Sequence, residues 1–278
     1  MILGQVSQGR PRLIQSALWA DRINLQRTLA LAILVFLIAL PLDSVGQGDV
    51  SGLTPKEIVD KVDRILRGDS SVGTMEMSIA TKRWKRTMTL RIWSEGTEKA
   101  LIKILKPKKE AGTATLKVGS DIWNYLPRID RTIRIPTSMM MASWMGSHFT
   151  NDDLVKESRL IRDYDIQISY EGERDRVDIY EFTLKPYPEA PVVWGKILYE
   201  VRKKDLMPTW AKYYGEDGQL KRTLTFSHYR KMGGRLVPTQ MRMVPQNKPG
   251  EHTEVVYTDL KLDIPIARHT FSLAALRR

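Results

Sequence analysis

Apolar residues recur at helical spacing near the start of the regularly patterned part of the chain. The residues that form this stripe are Ile58, Val62, Ile65 and Leu66. Just ahead of them, Thr54 can cap a helix, Pro55 suits the first helical position, and Glu57 completes the spacing of a capping box. Gly68 ends the pattern. The sequence therefore predicts one amphipathic helix over residues 54–67.

From Met75 onward the hydrophobic period changes to two, the period of a half-buried β-strand. In the run Trp84–Ile92 the apolar residues share one face, and the basic and hydroxyl residues share the other. Eleven further runs follow this period: Ala100–Leu105, Thr113–Val118, Ile122–Leu126, Thr132–Ile135, Ile166–Tyr170, Val177–Leu184, Lys196–Arg202, Thr209–Tyr214, Leu220–Tyr229, Leu236–Val244 and Glu254–Leu260.

Turn-forming pairs separate these runs, for example Glu171-Gly172, Asp217-Gly218 and Gly233-Gly234. Closely spaced strands without alternating helices exclude a parallel α/β sheet. The pattern predicts a mainly β (α+β) protein with one antiparallel sheet curled into a barrel or half-barrel, and a β-sandwich fits it nearly as well. Because no break in composition divides residues 47–278, we expect them to form one domain.

An apolar segment rich in methionine and tryptophan lies between two strand runs. It spans Ser138–Gly146, with Pro136 before it and Gly146 as its stop, and a short helix fits it best. Methionine adapts to irregular apolar shapes, so the segment suits a lid over a hydrophobic cavity. An ordinary buried helix that plugs the core of the sheet is an equally good interpretation.

Three stretches resemble the outer-membrane lipoprotein-sorting family, relatives of the periplasmic lipoprotein carrier LolA. They read DIWNYLPRIDRTIRIP from Asp121, MGSHFTNDDLVKESRL from Met145 and IPIARHTFSLAAL from Ile264. The resemblance extends from about Thr54 to the end of the chain, although His148 stands where the family pattern leads us to expect an acidic residue. It implies a half-open LolA/LolB-like β-barrel with an N-terminal helix, a short helical lid and an acyl-chain site inside.

The N-terminal region has the pattern of a secretory signal peptide. A 14-residue apolar run, Leu29–Leu42, follows four arginines and precedes the small-x-small sequence Ser44-Val45-Gly46. We therefore predict a signal peptide over residues 1–46 and a mature domain over residues 47–278. A retained membrane anchor is the alternative, but a span needs about 20 apolar residues. With no cysteine for a lipid anchor, we expect the mature protein in the periplasm.

The chain is basic, with a net charge of +12, of which +10 remains after residues 1–46. Basic residues cluster in or beside strand runs rather than in a tail: Lys82, Arg83, Lys85, Arg86, Lys106, Lys108 and Lys109. Such spacing is typical of solvated strand faces. Its functional interpretation is attraction to an anionic surface or partner. For an exported protein we expect no nucleic-acid partner.

The sequence favours no enzymatic function. Its four histidines are scattered, so we expect no metal site and no cofactor. Ser147, His148 and Asp152 suggest a hydrolytic triad, but sequence neighbours rarely point at one another, and no G-x-S-x-G turn surrounds the serine. Asp152 and Asp153 fit better as the first turn of a helix capped by Thr150 or Asn151.

The abundance of large apolar residues suits a pocket that holds a lipid. Together with this pocket, the resemblance implies a carrier that binds acyl chains of lipoproteins or other lipids and hands them toward the outer membrane. An inner-membrane transporter and an outer-membrane acceptor are candidate partners, and the alternative is an accessory protein that docks such a transporter without carrying lipid. The lids would be Pro136–Phe149 and the N-terminal helix. The residues predicted to line the cavity and its lid are Met88, Leu90, Ile92, Trp123, Tyr125, Met139, Met140, Met141, Trp144, Met145, Phe149, Leu184 and Trp210.

Overall fold

The structure is a computed structural model that describes residues 50–156, 160–190 and 192–277. The predicted signal peptide, residues 1–46, lies outside the described residues. In the described ranges, none of the helices combines the length and the apolar character needed to cross a bilayer.

Helix α1, Pro55–Arg67, begins at the predicted capping box. The backbone N–H of Glu57 donates to Thr54 Oγ1 at 3.3 Å, and the backbone N–H of Thr54 donates to Glu57 Oε2 at 2.7 Å. These reciprocal bonds satisfy amide groups that the first helical turn leaves without partners. The helix ends at Gly68, whose φ of 67° lies in the left-handed region that favours glycine.

Thirteen antiparallel strands within the described residues form one sheet, which confirms the predicted architecture. Because all of them belong to this one sheet, the β-sandwich alternative is wrong. The sheet is not closed: β6 and β7 are its two edges, and the order is β6-β5-β4-β3-β2-β1-β13-β12-β11-β10-β9-β8-β7. The strands are β1 Ser70–Ala80, β2 Lys85–Glu95, β3 Lys99–Lys106, β4 Ala114–Val118, β5 Asp121–Leu126, β6 Arg131–Arg134, β7 Tyr164–Arg174, β8 Val177–Pro186, β9 Lys196–Arg202, β10 Pro208–Tyr214, β11 Leu220–Met232, β12 Arg235–Pro245 and β13 His252–Leu262.

The connection from β6 to β7 is a long segment with little regular structure. The predicted short helix over Ser138–Gly146 takes the form of two 3₁₀ turns, Thr137–Met139 and Trp144–Gly146. Two short α-helices follow, α2 at Asn151–Lys156 and α3 at Leu160–Asp163. We call residues 136–156 and 160–163 the crossing segment.

The inner face of the sheet is covered by two different elements. Helix α1 packs with its buried residues Ile58, Val59 and Val62 on the half formed by β7–β12, and the crossing segment packs with Trp144 and Phe149 on the half formed by β1–β3 and β13. Buried inner-face residues of the first half include Ile166, Phe182, Leu184, Ile197, Leu224 and Met243. Those of the second include Met75, Met77, Ile79, Met88, Leu90, Ile104 and Val255.

The C-terminal residues cover part of the outer face. A 3₁₀ turn at Arg268–Phe271 and helix α4, Leu273–Leu276, place Phe271 and Leu276 against outer-face residues of β3–β5. These strands are therefore apolar on both faces, as their burial patterns show.

We expect Thr54→Ala to lower the free energy of unfolding by about 1 kcal/mol, because the first turn of α1 loses its capping oxygen. Urea denaturation would measure the change as a lower midpoint at constant slope. Thr54→Ser keeps the hydroxyl and should retain most of the stability. Equal losses in the two variants would contradict the role assigned to the cap.

Candidate functional site

A cavity of about 340 Å³ lies between the inner face of the sheet, helix α1 and the crossing segment. Both halves of the sheet contribute to its wall, because the sheet curves around it. The volume falls within the range of about 300–1,000 Å³ that is typical of small-molecule sites.

Most of the cavity wall is apolar. On one side it consists of residues from β2, β3 and β13, on the opposite side of residues from β9–β12, and α1 adds two side chains from above. The apolar lining comprises Val59, Leu66, Ile92, Ala100, Ile102, Leu154, Leu160, Ile197, Tyr199, Ala211, Tyr213, Phe226, Val237, Pro238, Met241, Tyr257 and Leu260. A wall of this composition favours an apolar guest over a polar one.

Polar groups gather where the C-terminal end of α1 meets the β2–β3 hairpin. The backbone N–H of Gly96 donates to Asp69 O at 2.8 Å and joins the two elements. Nearby, Arg67 donates to Asp63 Oδ2 at 2.8 Å, and burial raises the pKa of the Asp63 carboxyl. Because the Asp63 and Arg67 side chains are partly exposed and line the cavity, we identify this end as its mouth.

Lys117 is the most buried basic residue of the cavity wall. It projects inward from β4 with only 4% of its surface exposed, and its Nζ donates to Thr97 O at 2.5 Å in the same hairpin. Close to it, Ser71 and Ser94 share a hydrogen bond of 2.7 Å. Polar side chains therefore concentrate near the mouth, and the interior is mostly apolar apart from Thr115 and Asp153.

The end of the cavity opposite the mouth is closed by the crossing segment. The Trp144 indole is buried and its Nε1–H donates to Thr115 Oγ1 at 3.2 Å. The backbone of Met145 has a φ of 50°, a left-handed conformation that is rare for a long side chain, and its carbonyl accepts from Arg86 Nη1 at 3.0 Å. Tertiary contacts thus hold a backbone shape that the local sequence disfavours.

A buried ion pair fixes the start of α2 to the sheet. Both Asp153 carboxylate oxygens accept from the Arg222 guanidinium, at 2.7 and 2.5 Å, and both side chains are less than one-tenth exposed. The guanidinium carbon also lies 4.4 Å from the ring centroids of Trp194 and Tyr213. Thr150 Oγ1 accepts from the Asp153 backbone N–H at 3.2 Å and caps the helix. Bidentate geometry and flanking rings make this pair a rigid anchor.

Ser147 and His148 face different partners. The Ser147 hydroxyl donates to Trp144 O at 2.7 Å within its own turn. The His148 ring is buried, with Nδ1 2.8 Å from Thr253 Oγ1 and Nε2 3.2 Å from Glu251 Oε2. The hydrogen bond from His148 lowers the pKa of the Glu251 carboxyl. The Ser147 side chain therefore stabilises its own turn, and His148 connects the crossing segment to β13.

Seven of the residues predicted for the cavity and lid lie in or beside the inner-face core. Ile92 lines the cavity. Met88, Leu90 and Trp144 are fully buried beside it, Met145 and Phe149 pack against them, and Leu184 is buried on the half covered by α1.

The other six predicted residues lie elsewhere. Trp123 and Tyr125 pack on the outer face with the C-terminal residues, and Trp210 faces outward because it alternates with the inward Ala211. Met139 and Met141 are 49% and 45% exposed, and Met140 between them is half-buried. The structure thus does not bring the three consecutive methionines together with the cavity.

Several cavity residues were absent from the sequence prediction. Two come from α1, Val59 and Leu66, and lie on the buried face that its amphipathic pattern defines. Others come from the β9–β13 half, such as Tyr199, Phe226 and Tyr257. The strand period could have identified them, since each occupies the inward phase of its strand. Across residues 50–277, apart from the few that are not described, no three metal-ligating side chains group as a metal site would require.

Comparisons with known proteins agree with the fold described above. A family model described as "Uncharacterized protein" matches residues 96–278. The structure is similar to a DUF1329 family protein from Desulfovibrio piger, with 25% identity and a TM-score of 0.73 over 80% of this chain and 97% of the other. It is also similar to a domain from Vibrio parahaemolyticus described as an outer membrane lipoprotein-sorting protein, with 25% identity and a TM-score of 0.71 over 81% and 98%.

A third solved structure, a LolA superfamily protein from Nitrosomonas europaea, has the same fold. Its identity to this chain is 24% and its TM-score 0.68, over 80% of this chain and 99% of the other. No curated protein matches the sequence.

The buried anchor of α2 leads to a stability prediction. Asp153→Asn should lower the free energy of unfolding by about 3–5 kcal/mol, because it leaves the buried Arg222 cation without a counter-charge. Asp217→Asn is the matched control, since Asp217 forms an ion pair of the same length, 2.5 Å, with Lys221 but at the surface. Its effect should be far smaller. Denaturation curves that shift equally for both variants would contradict the anchor.

Proposed function

The chain belongs to the family described as "Uncharacterized protein", whose model matches residues 96–278, and it has the LolA-like fold. On that premise we propose that the protein is a periplasmic carrier of acyl chains. The cargo would be the acyl chains of a lipoprotein or of another lipid, handed toward the outer membrane. The relatives described as lipoprotein-sorting and LolA superfamily proteins support this class of cargo.

The observation that carries the proposal is the apolar cavity of about 340 Å³ under α1. Each methylene group that leaves water contributes about 0.8 kcal/mol, so a buried chain of ~16 carbons would gain on the order of 10 kcal/mol before the costs of association. A gain of this size suffices for reversible capture. The carrier function needs no covalent step and no cofactor.

The contacts around the cavity suggest how cargo would enter. The crossing segment is tied down by Trp144, His148 and Asp153, whereas the mouth lies beside the end of α1. We therefore place the moving lid at α1 and treat the crossing segment as the fixed plug. An acyl chain would pass between α1 and the β2–β3 hairpin and displace Leu66 from the inner face.

Release would occur by exchange, when an acceptor offers the chain a better site. An inner-membrane transporter as donor and an outer-membrane acceptor fit a carrier that works in the periplasm. The polar mouth, with Asp63 and Arg67, would keep the headgroup of the cargo in contact with water while the chain is buried.

Lipid extraction tests the proposal directly. The exported, processed protein is purified from its host and its bound lipids are extracted and identified by mass spectrometry. We expect a phospholipid or an acylated peptide at close to one per protein. A protein that contains no lipid and takes up no fluorescent fatty acid would rule out the carrier function.

A cavity-filling variant provides the second test. Ala100 lies on the cavity wall between Ser94 and Lys117 of the neighbouring strands, so Ala100→Phe would occupy the space of the ligand. We expect fluorescent fatty acid to bind at least about tenfold more weakly, equivalent to roughly 1.4 kcal/mol. Ala267→Phe, at an exposed position, is the control and should bind normally.

Melting temperatures of both variants should be measured in parallel to verify that each protein is folded. Unchanged binding in a folded Ala100→Phe protein would show that the ligand, if any, lies elsewhere.

A further inference from the structure

Three hairpin connections on one side of the sheet lie at the same end of their strands. They join β1 to β2, β3 to β4 and β5 to β6. They share one end because every second connection of an antiparallel meander lies at the same end of the sheet. This is the end opposite the mouth of the cavity, which lies at the β2–β3 hairpin. We call residues 81–85, 105–113 and 126–131 the basic rim.

The basic rim combines positive charge with exposed apolar side chains. It contains eight basic and two acidic residues, a net charge of +6, which is half of the charge of the whole chain. All eight basic residues are exposed: Lys82, Arg83, Lys85, Lys106, Lys108, Lys109, Arg128 and Arg131. Three large apolar side chains are exposed among them, Trp84 at 42%, Leu105 at 46% and Ile129 at 57%.

The two acidic residues of the basic rim are engaged by neighbours. Glu110 forms an ion pair with Arg86, and Asp130 Oδ1 accepts from the Tyr125 hydroxyl at 3.1 Å. The lysines and arginines of the rim therefore set the sign of its field. The basic side chains of all three connections would therefore attract an acidic surface that approaches this end of the sheet.

We propose that the basic rim docks the protein on an anionic phospholipid bilayer. Lysine and arginine side chains attract acidic headgroups, and an exposed tryptophan suits the interfacial layer, where amphipathic aromatic rings are favoured. The exposed Leu105 and Ile129 at the same end of the sheet add apolar surface. Trp84 and Ile129 lie in the connections, and Leu105 lies at the end of β3 beside one. An anionic bilayer offers both an extended negative surface for the eight basic residues and an interfacial layer for these apolar side chains, so it is the occupant that the basic rim favours.

The docking surface touches the plug of the cavity. A Cβ atom placed on Gly146 would lie 3.8 Å from both the Trp84 ring and Arg86 Nη1, and Arg86 donates to Met145 O. The docked protein would therefore hold its plug against the membrane and direct its mouth away from it. This inference does not depend on the carrier function, since the rim and the cavity are separate surfaces.

Co-sedimentation with vesicles tests the docking. The processed protein is mixed with vesicles of phosphatidylglycerol and phosphatidylethanolamine, or with vesicles of phosphatidylcholine alone. We expect at least tenfold tighter binding to the anionic vesicles, and we expect 0.5 M salt to weaken it strongly. Equal binding to both compositions, or no binding to anionic vesicles at low salt, would overturn the proposal.

Charge-reversal variants locate the surface. The double variant Lys108→Glu, Lys109→Glu should lose at least tenfold in affinity for anionic vesicles, and Trp84→Ala should lose a smaller factor that salt does not abolish. The matched control is Arg230→Glu, Lys231→Glu, which changes the net charge equally at exposed positions near the opposite end of the sheet. Circular dichroism would verify that each variant is folded. An equal loss in the control would show that net charge, and not the basic rim, governs binding.

Discussion

The fold depends on covering the apolar inner face of a sheet that is wider than any single helix. Helix α1 covers one half, and the crossing segment covers the other. Both contribute to the wall of the cavity in the middle, but among the described residues neither fills it, so that Ile102, Tyr199 and Met241 of the inner face line an open space. An unfilled apolar space costs stability through lost contacts between side chains. A guest that fills this space restores contacts to the cavity-lining side chains, and those contacts stabilise the bound guest.

The two covers differ in how they are attached. Helix α1 is held by apolar packing, by local hydrogen bonds at its cap and, at its C-terminal end, by exposed bonds such as that from Arg235 Nη1 to Arg64 O, while the crossing segment is held by more buried polar contacts at Trp144, His148 and Asp153. Apolar packing is non-directional, so a helix held by it can shift over the sheet with a smaller loss than a segment that must break buried ion pairs. This unequal attachment is the basis for placing the moving lid of the proposed carrier at α1 and its fixed plug at the crossing segment.

Much of this architecture follows from the local sequence, and the cavity does not. The capping box at Thr54 and the period of two along the strands identified α1 and the sheet, because both patterns depend on residues close in sequence. The local sequence determines less well which set of alternate residues in a strand faces inward. In β10, Trp210 is larger than Ala211, yet Trp210 faces outward beneath Lys212, and Ala211 lines the cavity. Met139 and Met141 belong to a segment whose contacts with distant strands are made by Trp144, His148 and Asp153, and no local pattern encodes those contacts.

An open sheet leaves two edge strands, and each edge has features that hinder pairing with another molecule. Strand β6 is only four residues long and has an arginine at each end. Strand β7 is longer, but its register shifts between Ile168 and Tyr170, and acidic residues such as Glu171 and Glu173 follow the irregularity. Short length, charge and irregular register all disfavour strand addition. The molecule can therefore stay open for a guest without offering a template for polymerisation through its edges.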